Sequence, residues 1–269
     1  LQERGASATF FLIGKQIEGN EDLVRRMQAE GHQVGSHTWN HVRLQGISRE
    51  TLQREVGRTE ETLEALLGGG PYWLRPPYGA VDAADRELLQ VPMIKWSIDP
   101  RDWEKLNTAQ VKAAVLENAA PNQIILLHDI YDTSVDAALE IVDTLQGEGY
   151  RFVTVQELLE QLCRETAYAA FQFPVTVLSG MEQGLPLAEA WAAGIRQDKA
   201  VPDPAKKLLL PLGEELGASD LDGQAATLAQ YRMQLEPYAA EAGEKCVQRQ
   251  RLYCSLGLLG GLLAAILLC

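Results

Sequence analysis

Residues 36–41 read Ser36-His37-Thr38-Trp39-Asn40-His41, with two histidines four positions apart directly after a short apolar strand and before a helix. A loop in that position lies at the edge of a predicted sheet. Two imidazoles at this spacing can reach one cation, and zinc that is bound by histidine with one position open carries out hydrolysis. Taken alone, the pair leaves a second interpretation open, in which both histidines only form hydrogen bonds within the loop.

Three more polar segments follow predicted strands. They read Leu74-Arg75-Pro76-Pro77-Tyr78-Gly79, Asp99-Pro100-Arg101-Asp102-Trp103 and Ile125-Leu126-Leu127-His128-Asp129. In sheets built from βα units, functional groups gather at the carboxyl ends of the strands. All four polar clusters occupy that position, so the pattern predicts a single site at one edge of a parallel sheet.

The first half of the chain alternates predicted strands and helices. An apolar run at residues 8–13 precedes a helix that starts near residues 20–22 and ends at Gly31. Ser48 can cap a second helix, which carries an apolar stripe at Leu52, Val56, Leu63, Leu66 and Leu67 and ends at the glycines 68–70. Further strands are predicted near 72–74, 93–98, 123–127 and 152–155, with helices near 108–118 and 135–148. This alternation predicts the α/β class with parallel strands.

The four polar segments, in this order, resemble those of the polysaccharide deacetylase family, the carbohydrate esterases with a NodB homology domain. The His-Ser/Thr-x-x-His metal motif of that family matches His37, Thr38 and His41. Its other motifs match Arg75, Pro77 and Tyr78; Asp99, Asp102 and Trp103; and Ile125, Leu127, His128 and Asp129. The resemblance covers roughly residues 1 to 158 and implies an incomplete, distorted (β/α) barrel of the NodB type.

The resemblance also implies the roles of the site residues. The ligands of a divalent metal, with zinc as the default, would be His37 and His41. The catalytic set would be His128, Arg75, Asp99 and Asp129: His128 protonates the leaving amine, Asp129 orients His128, and Asp99 pairs with Arg75. The substrate-binding set would be Tyr78, Trp103 and Leu127: the backbone N–H of Tyr78 binds the oxyanion, and the other two form the wall of an acetyl pocket. Asp102 could be only a surface turn residue.

One motif of that family is absent from the sequence. The family opens with Thr-Phe-Asp-Asp-Gly, which supplies the general base and the third metal ligand, whereas no aspartate precedes Asp22 here. The chain is therefore expected to be either a fragment or a degenerate domain, and its start at Leu1 rather than at Met favours a fragment.

The second half has a different pattern. Residues 163–250 read as successive helices, broken at Pro174, Pro186, Pro202, Pro204 and Pro211. The last eighteen residues, 252–269, carry no charge and follow the basic residues Lys245, Arg249 and Arg251. At ~1.5 Å per residue this stretch could span about 27 Å, so it predicts a C-terminal transmembrane helix whose start faces the cytoplasm. A buried core helix is the alternative interpretation.

This half resembles a second family, stage III sporulation protein AB. The segments that carry the likeness are residues 165–169, 184–191, 209–220 and the ending 251–261. The likeness covers about residues 160 to 269. The predicted domains are therefore a deacetylase-like domain at 1–160, an all-α region at 161–250 and a membrane helix at 252–269. A natural sporulation fusion, an erroneous joining of neighbouring genes and a decayed fusion all remain open.

Composition narrows the range of partners. The net charge of −13 and the pI of about 4.8 exclude a basic surface for nucleic acid. The leading hypothesis is metal-dependent hydrolysis of N-acetyl groups from a cell-wall polysaccharide, either peptidoglycan or a chitin-like glycan, in sporulation. The expected partners are an N-acetylated glycan, the membrane and other stage III sporulation proteins, and the expected location is the membrane, with the enzyme at the cell wall. The alternative is a non-enzymatic, membrane-anchored sporulation protein with an inactive deacetylase remnant.

Overall fold

The computed structural model describes residues 1–235, apart from 83–84, 86–87, 90, 106, 165–170, 217–222 and 224–225. The sheet begins with strands β1 (Thr9–Leu12) and β2 (Gln33–Ser36), which pair in parallel. Helix α1 (Glu21–Ala29) connects them. This βα order and the parallel pairing confirm the predicted start of the fold.

Further extended segments continue the sheet through single parallel bridges, which join Ser36 with Leu74, Leu74 with Met93, and Ile98 with Ile125. On the other side of β1, the N–H of Ser7 donates to the carbonyl oxygen of Phe152 at 3.2 Å. The segments predicted near 72–74, 93–98 and 123–127 therefore join the sheet as single bridges rather than as regular strands. Because the three bridges are parallel, the bridged segments end at the same edge.

The helices of this half are α2 (Arg49–Leu67), the single turn α3 (Asp102–Lys105), α4 (Thr108–Leu116), α5 (Asp132–Gly147) and α6 (Val155–Arg164). The hydroxyl of Ser48 accepts from the N–H of Thr51, which confirms the predicted cap of α2. The strand predicted at 152–155 is wrong, because residues 152–154 form neither a strand nor a bridge and Val155 begins α6. Thr154 and Glu157 hydrogen-bond each other's backbone N–H groups, and this capping box starts the helix there.

Helix α2 covers the sheet with the apolar stripe that the sequence predicts. Its residues Leu52 and Val56 pack with Leu44 and Leu74, and Leu63 belongs to a second cluster around α1 and β2. Leu52 and Leu63 are fully buried. This packing fixes α2 beside the loop that follows β2.

The second half is helical in the described residues, as predicted. It contains α7 (Phe173–Glu182), α8 (Leu187–Gln197), α9 (Asp203–Glu215) and helical residues at 226–235. The predicted breaks at prolines are partly wrong. Pro174 and Pro204 lie in the first turns of their helices, where no N–H is needed, and Pro211 lies inside α9.

Helix α6 contributes to two hydrophobic cores. Its Leu159 packs with the core of the sheet, whereas Leu162 packs with the helical core around Trp191. The domain boundary predicted at 160/161 falls inside this continuous helix. No helix in the described ranges is long and apolar enough to cross a membrane. The predicted transmembrane helix at 252–269 lies outside the described residues.

Candidate functional site

The site lies where the extended segments end. His37 follows β2, Arg75 follows the bridge residue Leu74, Asp99 follows Ile98, and His128 comes shortly after Ile125. The parallel sheet therefore brings the four predicted segments to one edge.

His37 and His41 form a pair of imidazoles. Their ring centroids lie 4.7 Å apart, and Nδ1 of His37 lies 2.5 Å from the carbonyl oxygen of Arg75. Burial lowers the pKa of His37 to about 4, against the raising effect of that hydrogen bond. The imidazole is therefore neutral near pH 7. Because a carbonyl can only accept, Nδ1 carries the proton and Nε2 keeps its lone pair, as a metal-ligating histidine requires.

The loop that carries the pair has an unusual backbone. Thr38 and His41 have φ values of 64° and 58°, which non-glycine residues adopt rarely and a β-branched residue more rarely still. Two backbone hydrogen bonds fix the loop. The N–H of Gly14 donates to the carbonyl oxygen of Thr38 at 2.8 Å, and the N–H of Lys15 donates to the carbonyl oxygen of Trp39 at 3.1 Å. Such conformations persist where the surroundings fix them, and they occur most often at functional sites.

Glu55 in α2 supports the same loop. Its side chain is 3% exposed, and its two carboxylate oxygens accept from the backbone N–H and the side-chain amide of Asn40, both at 2.8 Å. The N–H of Trp39 also donates to the backbone carbonyl of Glu55. One helical residue thereby fixes the two positions that precede His41.

His128 forms a dyad with Asp102. Nδ1 of His128 lies 2.8 Å from one carboxylate oxygen of Asp102, and the backbone N–H of His128 donates to the other at 2.7 Å. Burial by itself would raise the pKa of Asp102, but the hydrogen bonds and the charge of His128 act against it, and that pKa is lowered. The fully buried carboxylate therefore stays ionised, and it holds Nδ1–H of His128 so that Nε2 points away from it.

Asp102 makes the contact that the sequence assigned to Asp129. Asp129 is exposed, whereas Asp102 lies in the single turn α3 and is completely buried. The interpretation of Asp102 as a surface turn residue is wrong. The place of Asp102 in the Asp-x-x-Asp-Trp motif marked it in the sequence as a candidate site residue. The spacing of the motifs could not show whether Asp102 or Asp129 would contact His128.

The pair and the dyad share one site. The pKa of His41 is lowered first by burial and then by the charge of His128, and the charge of His128 also lowers the pKa of His37. The dyad therefore lies within electrostatic reach of the pair, at the same edge of the sheet. This juxtaposition is the main result that the fold adds to the sequence motifs.

Arg75 lies beneath the site. It is 8% exposed, its guanidinium donates to the carbonyl of Lys95 at 3.0 Å, and its Cζ lies 4.1 Å from the ring centroid of Phe11. Asp99 is exposed and accepts from the backbone N–H of Arg101 at 2.8 Å. The pairing of Asp99 with Arg75 stays a prediction.

The predicted substrate-binding residues lie at the surface of the site. Tyr78 is 60% exposed with its ring centroid 5.2 Å from that of His41, Trp103 is 45% exposed, and Leu127 is partly buried. Their contact with substrate stays a prediction, as does the oxyanion-binding role of the Tyr78 backbone.

Glu55 is a residue that the sequence analysis missed. It shares the buried face of α2 with Leu52, Val56 and Thr59, and a charged residue at that helical spacing was the signal available in the sequence. Its partner on the neighbouring loop could not be read from the periodicity of the helix.

The donor set of the pair fits a divalent metal, because neutral imidazoles suit zinc and similar ions. The described residues contain no group of three or more His, Cys, Asp or Glu side chains that could hold such an ion. That His37 and His41 ligate a metal stays a prediction.

Comparison with known proteins assigns both halves. The polysaccharide deacetylase family model matches residues 1–91, and the stage III sporulation protein AB model matches residues 136–269. The peptidoglycan-N-acetylglucosamine deacetylase PgdA of Listeria monocytogenes is 37% identical over 158 residues, which are 59% of this chain and 34% of the relative. This chain thus spans about a third of that relative's length.

A peptidoglycan-N-acetylglucosamine deacetylase of Bacillus cereus is 35% identical over 167 residues, covering 59% of this chain and 78% of the relative. The solved structure of the peptidoglycan deacetylase PdaC from Bacillus subtilis superimposes with a TM-score of 0.57 at 34% identity, over 61% of this chain and 85% of that chain. These likenesses confirm the predicted NodB-type fold, and the chain belongs to the polysaccharide deacetylase family.

Proposed function

We propose that the N-terminal half hydrolyses N-acetyl groups from a cell-wall polysaccharide with the help of a divalent metal. The observation that carries this proposal is the meeting of the neutral His37–His41 pair with the Asp102–His128 dyad at one edge of the sheet. A pair of metal-ligating imidazoles beside an oriented acid–base histidine suits amide hydrolysis. The relatives named as peptidoglycan deacetylases support the same reaction class.

His37 and His41 would hold the metal through their Nε2 atoms. Deacetylases of this family depend on a metal in general. A divalent ion there supplies Lewis acidity, which polarises a carbonyl and makes water a stronger nucleophile at neutral pH. The hydrogen bond from Nδ1 of His37 to Arg75 and the support of the loop by Glu55 fix the ligands before any ion arrives.

His128 supplies the proton that the leaving amine needs. Its Nδ1–H is held by Asp102, so Nε2 is the atom that exchanges protons with substrate. The ionised carboxylate stabilises the imidazolium form that donates the proton. Tyr78 and Trp103 offer exposed aromatic faces on which a sugar ring can lie.

Acetate release tests the proposal directly. The full chain, supplied with Zn²⁺ or Co²⁺, is incubated with peptidoglycan and with chitotetraose, and both acetate and new free amines are measured. We expect release that needs the metal and that falls by about 10²–10⁴ in His128→Gln, the range for loss of a general acid. Equal release by wild type and His128→Gln, or none from either glycan, overturns the proposal.

The second half supports a role in sporulation. The match of residues 136–269 to stage III sporulation protein AB favours the second candidate function, that of a membrane-anchored component of a sporulation complex. Membrane attachment through residues 252–269 belongs to this candidate. Deleting residues 171–269 from the gene of an endospore former distinguishes the two: loss of sporulation with unchanged acetate release assigns sporulation to the helical half.

A further inference from the structure

Trp39 joins the histidine loop to α2 through its indole ring. Cζ of Arg58 lies 3.7 Å from the centroid of that ring, the shortest such distance among the cation–aromatic contacts of the described residues. Arg58 is exposed, and in that part of the chain its guanidinium takes part in no ion pair. The face of tryptophan carries partial negative charge and attracts a cation at this distance. The indole is therefore the partner of the Arg58 guanidinium.

Three residues on one face of α2 contact the loop and its surroundings. Glu55, Arg58 and Thr59 follow the i, i+3, i+4 spacing that places side chains on the same face of a helix. The backbone carbonyl of Glu55 accepts from the N–H of Trp39 at 2.8 Å. A Cβ added to Gly14 would lie 2.5 Å from the ring of Trp39 and 2.6 Å from the hydroxyl of Thr59. Gly14 and α2 together therefore fix the position of the Trp39 ring.

The loop needs such contacts because its backbone conformation is unfavourable. Thr38 and His41, which lie on either side of Trp39 in the chain, have φ values of 64° and 58°. Residues other than glycine keep such conformations only where the surroundings over-determine them. The loss of one contact therefore raises the fraction of chains in which the loop has left this conformation. When a ligand binds only one conformation, its apparent affinity is reduced in proportion to the population of that conformation.

We propose that Arg58 is a positioning residue for the histidine pair. By holding the ring of Trp39, its guanidinium keeps His37 and His41 side by side in the metal-free chain, whereas without it the strained loop spends much of its time in other conformations. Arg58 thereby strengthens the binding of a divalent ion to the pair, a consequence that rests on the proposed function, in which both histidines are ligands. It acts through Trp39 and takes no part in the chemical step.

Hydrogen exchange of the metal-free full chain tests the positioning role without any glycan. The N–H groups of Trp39 and Asn40 donate to Glu55, so their exchange rates report how often the loop opens. We expect Arg58→Gln to accelerate both by about twofold to fivefold, the factor that corresponds to an exposed cation–π contact. Glutamine forms helices about as well as arginine does, so α2 should be retained. The N–H of Leu126, which donates within the sheet, should exchange as in wild type.

Matched variants assign the effect to the contact with the ring. Arg54→Gln removes the same charge from an exposed position one turn earlier in α2 and should leave the exchange of the loop unchanged. Arg58→Lys keeps the charge, so its exchange rates should lie closer to those of wild type than the rates of Arg58→Gln do. Once Trp39→Leu has removed the ring, the addition of Arg58→Gln should cause no further acceleration.

Zinc titration measures the consequence for the histidine pair. In calorimetry with the full chain, the dissociation constant for Zn²⁺ should be about twofold to fivefold higher in Arg58→Gln than in wild type or Arg54→Gln. Because Arg58 acts on the population of the loop, saturating Zn²⁺ should restore acetate release by Arg58→Gln to the wild-type rate. A residue with a merely structural role would lower the free energy of unfolding without changing the zinc affinity.

Four results overturn the inference. Unchanged exchange in Arg58→Gln, or equal acceleration in Arg54→Gln, refutes the positioning role and leaves the proposed function intact. Faster exchange with an unchanged zinc affinity shows that the contact is only structural, and it also leaves the proposed function intact. Absence of zinc binding by wild type refutes the inference together with the proposed function.

Discussion

Asp102 shows how much depends on a single buried carboxylate. Replacing it by asparagine removes the charge that faces Nδ1 of His128 but leaves the volume unchanged. We expect Asp102→Asn to lower the rate of acetate release by at least about tenfold, within the range for a disturbed general acid. The nitrogen NMR spectrum of His128 should at the same time lose its fixed Nδ1–H tautomer.

Asp129→Asn is the control for this prediction. Because Asp129 is exposed, Asp129→Asn should release acetate at the wild-type rate, and its His128 spectrum should match that of wild type. A larger loss in Asp129→Asn than in Asp102→Asn would restore the assignment made from sequence.

Glu55 should contribute to stability and to metal binding together. Glu55→Gln leaves one of its two contacts to Asn40 without a suitable acceptor in a buried position. We expect the free energy of unfolding to fall by about 1–3 kcal/mol. Zinc affinity should also fall, since the loop would no longer be fixed before the ion binds. Glu50→Gln, on the exposed face of the same helix, should change neither quantity, and equal losses in both variants would contradict the role given to Glu55.

The lowered pKa of His37 predicts how its imidazole titrates. An ordinary histidine, with a pKa near 6.5, is mostly protonated at pH 5.5, whereas His37, with a pKa of about 4, remains neutral there. The NMR signals of the His37 ring in the metal-free chain should therefore change little from pH 7 to 5.5 and shift toward pH 4. A shift that is complete by pH 5.5 would contradict the burial of His37.

The lowered pKa of His37 also predicts how stability depends on pH. Between pH 6.5 and 4 the unfolded chain binds a proton at His37 that the folded, metal-free chain does not, so stability falls as the pH is lowered through that window.

At the scale of elements, Gly14 allows the histidine loop to approach the sheet. A Cβ at Gly14 would lie 2.5 Å from the ring of Trp39 and 2.6 Å from the hydroxyl of Thr59. We expect Gly14→Ala to lower the free energy of unfolding by about 1–3 kcal/mol through overpacking. Because Trp39 lies between the two histidines, zinc binding should weaken as well.

Gly57→Ala is the opposite case within α2. Its Cβ meets nothing within 4 Å, so alanine should stabilise the helix by about 0.5–1 kcal/mol. Urea denaturation of Gly14→Ala, Gly57→Ala and wild type measures both changes in the free energy of unfolding. A neutral Gly14→Ala would contradict the close packing of Trp39 and Thr59 against Gly14, and destabilisation by Gly57→Ala would contradict the open space beside Gly57.

The elements differ in how far the sequence predicted them. The capped start of α2 and its apolar stripe were readable because Ser48 and the leucines act locally, within one or two helical turns. The start of α6 at Val155 was not readable from the sequence. The β-branched run before it favours a strand, whereas the capping box of Thr154 and Glu157 favours a helix. Pro211 was read as a break, yet tertiary packing of α9 around Trp191 retains it inside the helix.

At the scale of the whole molecule, the four motifs predicted that the site residues meet, since parallel segments end at one edge. The motifs did not predict the partner of His128 or the support of the loop by α2, because both depend on contacts between segments far apart in sequence. The continuous helix α6, with Leu159 in one core and Leu162 in the other, was likewise hidden by a boundary drawn from the change in composition.

The proposed mechanism requires that His37 and His41 hold one divalent ion at the edge of the sheet. Calorimetric titration of Zn²⁺ into the metal-free full chain tests it most directly, with His37→Gln and His41→Gln as variants and His32→Gln as the control, since His32 is a buried residue that accepts from the N–H of Ala8. We predict one ion per chain, with binding lost in the first two variants and kept in the third. Absence of binding by wild type, or equal binding by all three variants, would contradict the account.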